Sequence, residues 1–309
     1  MPGSIHIVIV SWNPRAYLRQ CLESVVLADR DDVTVERVTV IDNASTDGSA
    51  AGLDDLDLPL EVVHNCSNIG FAAACNQGAA GSEADYLLFL NPDTRLFADT
   101  LAVVTSFMDS EQAAHIGICG GQVLDPAGGP AISCARFPTL PVLFGKMTRL
   151  SLVLPRFFPS HHLTPAETRH SGLVDQVIGA FFLVRRELFI RLDGFDTSYF
   201  VYYEEVDFAR RALQQGFRSY FLKEARILHA GSVSGDQVRD VRLHHSLRSR
   251  LIYARQHWPR WQAGLLAALT LGIELSARLT MALLRRSRSD FSATVSTYGM
   301  LVRDLRRAG

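Results

Sequence analysis

Four short, largely apolar runs in the first 90 residues constrain the fold of this chain more than any other feature. They are Ile5–Val10, Val33–Ile41, Leu60–Val63 and Tyr86–Leu90. Because the runs are continuous rather than alternating, they predict strands that are buried on both faces. Segments with helical periodicity separate them, and this alternation predicts an α/β fold with a mostly parallel, Rossmann-like sheet and helices on both faces.

Helix signals lie between and after these strands. Asn13 followed by Pro14 predicts an N-cap and a first helical turn, and Ser45-Thr46-Asp47 predicts the start of a second helix. Further helices are expected over residues 71–80, 185–192 and 204–215, and further strand regions over 174–184 and 217–229. Residues 124–171 are rich in proline, glycine and histidine, which predicts a long, partly irregular excursion.

Ligands of such sheets bind outside the carboxyl ends of the strands. Polar residues follow each of the four predicted strands at those ends: Ser11, Asn13, Asp42, Asn43, Asn65, Asn68, Asn91 and Asp93. These residues are therefore candidates for ligand binding. Strand-to-helix loops also need caps and turn residues, so each of them alone is equally consistent with a structural role.

The charge of the chain changes towards its C-terminus. Residues 239–309 contain 13 arginines and 4 acidic residues, a net charge of +9, and they are expected to be helical. We therefore expect a catalytic domain over 1–236 and a basic helical region over 237–309. This asymmetry fits an anionic membrane surface or nucleic acid. The tail has no recognisable nucleic-acid-reading motif, so a membrane is the simpler partner, and a solvated arginine-rich face is the alternative.

The expected helix over residues 261–284 has an apolar run that charges interrupt. Glu274 and Arg278 follow Ala263–Ile273, and both would be costly in the middle of a bilayer. The pattern favours an amphipathic helix that lies on a membrane, or packs on the body, over a transmembrane span.

The cysteines and the N-terminal run bear on the compartment. The five cysteines contain no C-x-x-C pair, so neither a disulfide framework nor a zinc site is indicated, and a reducing cytosol fits. The run Ile5–Val10 is too short for a signal peptide. We expect a cytoplasmic catalytic body that is peripheral on the inner face of the membrane.

Five motifs occur in a specific order and spacing. They are Val10-Ser11-Trp12-Asn13, Val40-Ile41-Asp42-Asn43-Ala44-Ser45, Asn68-Ile69-Gly70-Phe71-Ala72, Leu90-Asn91-Pro92-Asp93, and Gly194-Phe195-Asp196 followed by Tyr203-Glu204-Glu205-Val206-Asp207. Together they resemble family 2 glycosyltransferases and, within them, the rhamnosyltransferase-like branch. The resemblance covers about residues 4–235. It implies a GT-A fold, a nucleotide diphosphate sugar donor and a divalent metal, Mn²⁺ or Mg²⁺.

The resemblance also implies roles for the residues at the strand ends. Asp42 matches the carboxylate that contacts the base or the ribose, close to Ser11 and Asn13. The other residues matched to the nucleotide and donor site are Asn43, Asn68, Gly70, Asn76 and Asn91. Gly179, Ala180 and Arg136 fall in segments that resemble the walls around the donor sugar and the acceptor.

Asp93 and His229 are matched to the metal site. Asn91-Pro92-Asp93 occupies the position of the acidic metal-binding motif, and Asp93 supplies its only full charge because the first member is Asn. His229 resembles the histidine that completes this site in some members, and imidazole suits Mn²⁺ better than Mg²⁺. A lone histidine at a strand end is otherwise more often structural.

The acidic cluster over residues 204–207 is matched to the catalytic motif. By position Glu205 is the base that deprotonates the acceptor hydroxyl in a single inverting displacement, and Glu204 and Asp207 lie with the acceptor. The usual base in this family is Asp, so this sequence departs from the pattern by one methylene. Glu204 is an alternative base, and acids at a helix start are also favourable for purely structural reasons.

The expected function is therefore transfer of a sugar to a hydroxyl of a cell-surface glycan or lipid-linked precursor. L-rhamnose from dTDP-rhamnose is the favoured donor, with UDP-linked sugars and a homo-oligomer left open. One alternative is a catalytically impaired scaffold that binds sugar nucleotide, which the Glu at position 205 keeps open. A nucleotidyltransferase is a second, although no glycine-rich phosphate loop follows the first strand.

Overall fold

The computed structural model describes residues 3–28, 33–231 and 239–307, and they divide into two compact units. The sheet unit is drawn from residues up to 137, from 162–197 and from 204–231. The helical unit is drawn from 138–161, from 198–203 and from 239 onward. The expected boundary between residues 236 and 237 lies outside the described residues, and the helical unit includes two segments that precede it.

The strands of the described chain belong to the sheet unit. Their bounds are β1 (Ser4–Ser11), β2 (Thr34–Asp42), β3 (Leu60–His64), β4 (Tyr86–Leu90), β5 (Thr94–Leu96), β6 (Ile116–Leu124), β7 (Cys134–Ala135), β8 (Gly172–Val174), β9 (Gln176–Val177), β10 (Phe181–Arg185) and β11 (Arg218–His229).

The helices are divided between the two units. Their bounds are α1 (Tyr17–Leu27), α2 (Phe71–Ala79), α3 (Thr100–Asp109), α6 (Arg186–Arg191) and α7 (Glu204–Gln214) in the sheet unit, and α4 (Leu140–Thr148), α5 (Leu150–Val153), α8 (Arg239–His257), α9 (Arg260–Leu269), α10 (Leu275–Leu284) and α11 (Arg288–Arg307) in the helical unit.

The main sheet is mixed and mostly parallel, as predicted. Its order is β3-β2-β1-β4-β10-β6-β11-β5, with β8 paired to β11. β1 is parallel to β2 and β4, β2 to β3, and β6 to β11. β10 is antiparallel to β4 and β6, so one reversed strand lies in the middle of the sheet. β5 and β8 are antiparallel to β11.

The two faces of the sheet have separate apolar cores, which confirms helices on both sides. Alternate residues of β1 face opposite ways: Ile7 packs in a core with Leu18 of α1, and Val8 packs in the other core with Ala72 of α2. β1 and β4 are buried almost throughout, as their continuous apolar runs predicted. β3 was wrongly expected to be buried on both faces. It is an edge strand with no fully buried residue.

Two of the predicted helix starts are wrong. α1 begins at Tyr17 rather than at Pro14, because Asn13 and Arg15 have φ of 50° and 55° and cannot continue a helical turn. No helix follows Ser45-Thr46-Asp47 either. Asp47 instead accepts hydrogen bonds from the backbone N–H of Arg15 and of Ser49, at 2.7 and 3.0 Å. Both cap signals are therefore used in turns that connect two loops.

The helical unit has its own core. Leu143 and Met147 of α4 pack with Leu247, Leu266 and Leu301 from three later helices. α4 and α5 lie within the stretch that was expected to be irregular. The region after residue 238 is helical, as expected, and begins with α8. The expected helix over 261–284 is observed as a continuous helix from α9 through a π-helical turn at Thr270–Glu274 to α10.

The continuous helix Arg260–Leu284 is long and apolar enough to cross a membrane, and 22% of its most apolar window is buried. The core helix of a soluble protein can have the same length and composition. The membrane-surface helix therefore stays a prediction.

Candidate active site

The sheet topology brings the candidate residues to one edge. β1, β2, β3, β4, β6 and β11 all run in the same direction, so their carboxyl ends lie along the same side of the sheet. β10 runs the opposite way, which places its first residues, after Gly179 and Ala180, beside the end of β4. A substrate that lies along this edge would meet polar side chains at the ends of β2, β3, β4 and β11.

Asp42, the last residue of β2, is held at this edge by two contacts. One carboxylate oxygen lies 2.9 Å from Nδ1 of His64, and the other accepts the backbone N–H of Ser45 at 3.1 Å. Asp42 is 7% exposed, whereas the His64 side chain is largely exposed. Sequence reasoning left His64 unassigned. The sequence signal that could have found His64 was its position at the end of the third predicted strand. In the sheet His64 pairs with Asp42 of β2.

The loops after β1 and β2 are joined through Asn13. Its side-chain oxygen accepts the backbone N–H of Thr46 at 2.7 Å, and its own N–H donates to Ser45 Oγ at 3.0 Å. The Ser11 carbonyl accepts the N–H of Asn43. The Ser11 hydroxyl is buried and has no hydrogen-bond partner among the described residues. The structure thus brings Ser11, Asn13 and Asp42 together through the loops that follow β1 and β2.

Asn43 and Asn68 organise the start of α2. The Asn43 amide donates to Asn68 Oδ1 at 2.9 Å and to the carbonyl of Gly70 at 3.3 Å, while Asn68 Oδ1 also accepts the Gly70 N–H. Gly70 has φ of 91° and ψ of 163°, a conformation that is open only to glycine. These residues fix the turn that precedes α2, and Asn43 is itself buried.

Asn76 makes contacts of a different kind. Its amide donates to the carbonyl of Phe195 at 2.8 Å and its oxygen accepts the Phe195 N–H at 2.9 Å. Through these two hydrogen bonds it braces the Gly194-Phe195 turn from α2. Asn91 lies at the edge of the sheet, where its backbone N–H donates to the Ala180 carbonyl at 3.1 Å.

Asp93 and His229, the two residues matched to the metal site, lie side by side. Asp93 Oδ1 lies 3.1 Å from His229 Nε2, and the Asp93 carbonyl accepts the N–H of Ala230 at 3.0 Å. β5 begins directly after Asp93 and pairs its first residue, Thr94, with His229. Among the described residues, no group of three or more His, Cys, Asp or Glu side chains is placed to hold a metal ion. This pair offers one carboxylate and one imidazole.

The acidic cluster lies in the first turn of α7. Glu204 is 5% exposed, and its Oε2 has no hydrogen-bond partner among the described residues. Burial, and then the negative charge of Glu205, raise the pKa of the Glu204 carboxyl well above its usual range. Glu205 is only partly buried. The pair therefore favours a neutral Glu204 beside a charged Glu205, which is the less buried of the two residues.

Asp207 is buried and paired within the sheet unit. Its carboxylate lies 2.7 Å from Nε of Arg211, which also donates to the carbonyls of Leu192 and Gly194. Asp207 thereby anchors α7 to the turn that Asn76 holds from the other side. Arg211 was missed by sequence reasoning, although the i,i+4 spacing from Asp207 was visible.

Arg136 contacts residues of the stretch between β6 and β10. Its guanidinium pairs with Glu167, and its carbonyl accepts the Gln176 side-chain amide at 3.0 Å. A backbone hydrogen bond from Thr164, and then Arg136, lower the pKa of Glu167 to about 2. Gly179 has open space where a Cβ would stand. The Ala180 carbonyl accepts hydrogen bonds from the backbone N–H of Asn91 and from the Thr94 hydroxyl.

A GT-A glycosyltransferase is the class of protein that this sheet and its carboxyl edge define. In the solved structure of mannosyltransferase PcManGT from Pyrobaculum calidifontis, in complex with GDP-Man and Mn²⁺, the fold is similar, with a TM-score of 0.58 at 16% identity. The alignment covers 98% of this chain and 88% of that one. A family model described as Glycosyl transferase family 2 matches residues 6–162, just over half of the chain. The chain belongs to this family.

Two curated relatives lie within the predicted branch. The chain is 28% identical to N-acetylglucosaminyl-diphospho-decaprenol L-rhamnosyltransferase of Mycobacterium tuberculosis, over 93% of this chain and 96% of that protein. It is 27% identical to rhamnosyltransferase WbbL of Escherichia coli, over 73% and 83% respectively. The chain is a glycosyltransferase, and the rhamnosyltransferase-like resemblance is confirmed.

Proposed function

We propose that this protein transfers L-rhamnose from dTDP-rhamnose, with inversion, to a hydroxyl of a lipid-linked N-acetylglucosaminyl diphosphate. The observation that carries the proposal is the placement of Asp42 and of the Asp93–His229 pair at the carboxyl edge of one sheet, in the unit whose helix α7 begins with the Glu204–Glu205 pair. The names of the two curated relatives support the sugar, and one of those names supports the acceptor.

The nucleoside end of the donor would lie at the ends of β1 to β3. Asp42 has a carboxylate that can accept from a thymine imide N–H or from ribose hydroxyls. His64 contacts this carboxylate and is exposed, so it can meet the donor from the open side. The backbone around Asn13 and Gly70 would complete the cradle.

The residues fit a divalent cation beside the diphosphate. The 3.1 Å contact between Asp93 Oδ1 and His229 Nε2 brings a carboxylate and an imidazole to one point at the strand ends. Mg²⁺ and Mn²⁺ commonly need only one or two protein ligands where phosphate oxygens and water supply the others. When bound, the cation would neutralise charge on the departing nucleoside diphosphate.

Glu205 would accept the proton of the acceptor hydroxyl. It is the more exposed member of the pair, and its partner Glu204 is the carboxyl whose pKa is raised. A neutral Glu204 leaves the negative charge on Glu205, where the attacking oxygen needs a base. This difference in burial favours Glu205 over Glu204 as the base. Direct displacement at the anomeric carbon would then invert its configuration.

A donor panel tests the proposal. Purified protein with Mn²⁺ is screened by thermal shift against dTDP-rhamnose, UDP-N-acetylglucosamine and GDP-mannose, and products formed on a short-chain lipid diphosphate N-acetylglucosamine are analysed by mass and by NMR of the anomeric centre. We expect dTDP-rhamnose to stabilise the protein most and to give a product of inverted configuration. Transfer of another sugar would refute the assignment of rhamnose. Retention of the anomeric configuration would refute the inverting mechanism.

A further inference from the structure

The helical unit contains an open cavity of about 590 Å³ that the proposed chemistry does not use. Its charged lining consists of five basic side chains and two acidic ones: Lys146, Arg149, Arg250, Arg278, Arg285, Glu274 and Asp290. The basic side chains come from α4, α8, α10 and the residues that directly follow α4 and α10. Residues distant in sequence thus bring a positive excess to one cavity.

Arg250 is the most buried of these cations, at 7% exposure. One of its terminal nitrogens donates to Thr270 Oγ1 at 2.9 Å and to Glu274 Oε2 at 2.6 Å. Its Nε is buried and has no hydrogen-bond partner among the described residues. A buried charged donor without an acceptor is costly, so this nitrogen indicates an acceptor supplied by a ligand.

The acidic residue nearest to Arg250 does not balance the cavity. Glu274 accepts from Arg250 and also, at 2.8 Å, from Arg278. Burial opposes its ionisation, yet these two guanidiniums hold its pKa below its usual value, so the carboxylate stays charged and is shared. Lys146 is exposed at the opening, but its surroundings desolvate the amine and, together with Arg250, lower its pKa. An anion would relieve this crowding of positive charge.

Exposed apolar side chains lie close in sequence to the lining cations. Leu283 and Leu284 directly precede Arg285, and they are 65% and 74% exposed. Leu152 is exposed three residues after Arg149. A soluble anion would make no apolar contacts with these leucines, whereas the hydrocarbon chain of a lipid-linked anion could pack against them.

We propose that this cavity binds the diphosphate group of a lipid-linked substrate. Guanidinium groups match phosphate oxygens in paired hydrogen bonds, and several cations of this cavity can act on one diphosphate. Inorganic pyrophosphate shares this chemistry, and the exposed leucines favour the lipid form. The inference rests on the proposed lipid-linked acceptor and extends it to a second place on the chain.

The test measures binding of the full-length protein to vesicles by flotation. Phosphatidylcholine vesicles that contain geranylgeranyl diphosphate are compared with vesicles that contain phosphatidylglycerol at the same total charge. The double variant Lys146→Gln, Arg285→Gln removes two exposed lining cations and should fold normally. Arg288→Gln is the matched control, since this exposed arginine lies three residues beyond Arg285 and outside the lining.

We expect the native protein to prefer the diphosphate vesicles by roughly tenfold or more, the size of one charge-assisted contact. The double variant should lose this preference and Arg288→Gln should keep it. Equal binding to both vesicle types, or equal losses in the double variant and in Arg288→Gln, would overturn the proposal. Inorganic pyrophosphate that competes as well as geranylgeranyl diphosphate would overturn the lipid assignment.

Donor binding by the same variants separates this inference from the proposed function. dTDP-rhamnose should stabilise the native protein and the double variant equally in thermal shift. A diphosphate preference without any rhamnose transfer would sustain the cavity and refute the proposed function. Transfer of rhamnose without a preference for diphosphate vesicles would support the proposed function and refute the cavity proposal.

Discussion

Replacement of Glu205 by Gln should separate turnover from donor binding. Glu205 lies in the first turn of α7 and is only partly buried, beside the nearly inaccessible Glu204. The amide keeps the volume of the side chain but cannot take a proton. A positioned general base is worth about 10²–10⁴-fold in rate, roughly 3–5 kcal/mol of barrier. We expect kcat to fall by that factor while the KM for the donor changes little.

The structure also limits how far Glu204 can replace the lost base. Loss of the Glu205 charge removes one of the two causes that raise the pKa of Glu204, but burial, the larger cause, remains. Glu204 should therefore stay mostly protonated and out of reach of the acceptor. Adding Glu204→Gln to Glu205→Gln should reduce the remaining rate by less than about twofold, whereas a working Glu204 would cost another 10²-fold or more.

Initial rates of nucleoside diphosphate release, measured over a range of donor and acceptor concentrations, provide the assay. Glu187→Gln is the matched control, because it removes an exposed acid from the first turn of α6. It should leave kcat within about twofold. A Glu205→Gln variant with native kcat would remove Glu205 from the mechanism, and equal losses in both variants would point to a general effect of charge.

Three further predictions concern the metal, the buried carboxyl and the sheet. Asp93→Asn should abolish the stabilisation that Mn²⁺ adds to nucleoside diphosphate binding in thermal shift, as excess EDTA should in the native protein. A carboxyl whose pKa is raised in the folded state destabilises the fold once the pH exceeds its pKa in the unfolded chain. Glu204→Gln should therefore raise Tm at about pH 8 and leave Tm almost unchanged at about pH 4. Equal changes in Tm at both pH values would contradict this. Gly121→Ala should cost about 1–3 kcal/mol in denaturant unfolding because its Cβ would stand 2.2 Å from the Ala225 carbonyl oxygen, whereas Gly172→Ala meets nothing within 4 Å and should cost less.

The central strands could be predicted closely because their apolar runs are continuous. Tyr86–Leu90 matches β4 at both ends, since a strand buried on both faces has no polar residue to blur its limits. The same rule failed for β3, whose run contains Glu61 and lies at the edge of the sheet. The position of a strand within the sheet depends on tertiary contacts, and a short apolar run does not indicate whether its strand is central or at the edge.

Local cap signals failed where tertiary contacts use the same side chain. Asn13 is a good N-cap by type, yet it bonds to Thr46 from the neighbouring loop. The Asn76–Phe195 contact joins residues 119 positions apart, and nothing in their spacing indicates it. The Asp93–His229 contact spans 136 positions and was anticipated only because both residues match motifs of one family.

The reversed strand β10 also bears on how specificity can change among proteins built this way. β6 ends at Leu124 on the carboxyl edge of the sheet, and β10 begins at Phe181 on the same edge. The intervening stretch therefore leaves and returns on the same edge, and within it only β8 pairs with the main sheet, at β11. We expect that insertions and deletions between β7 and β8 can reshape the proposed walls around the sugar without shifting the register of β4, β6 and β10. Diversification of donor and acceptor preference should concentrate in this stretch, while the strand ends that hold Asp42 and Asp93 remain in place.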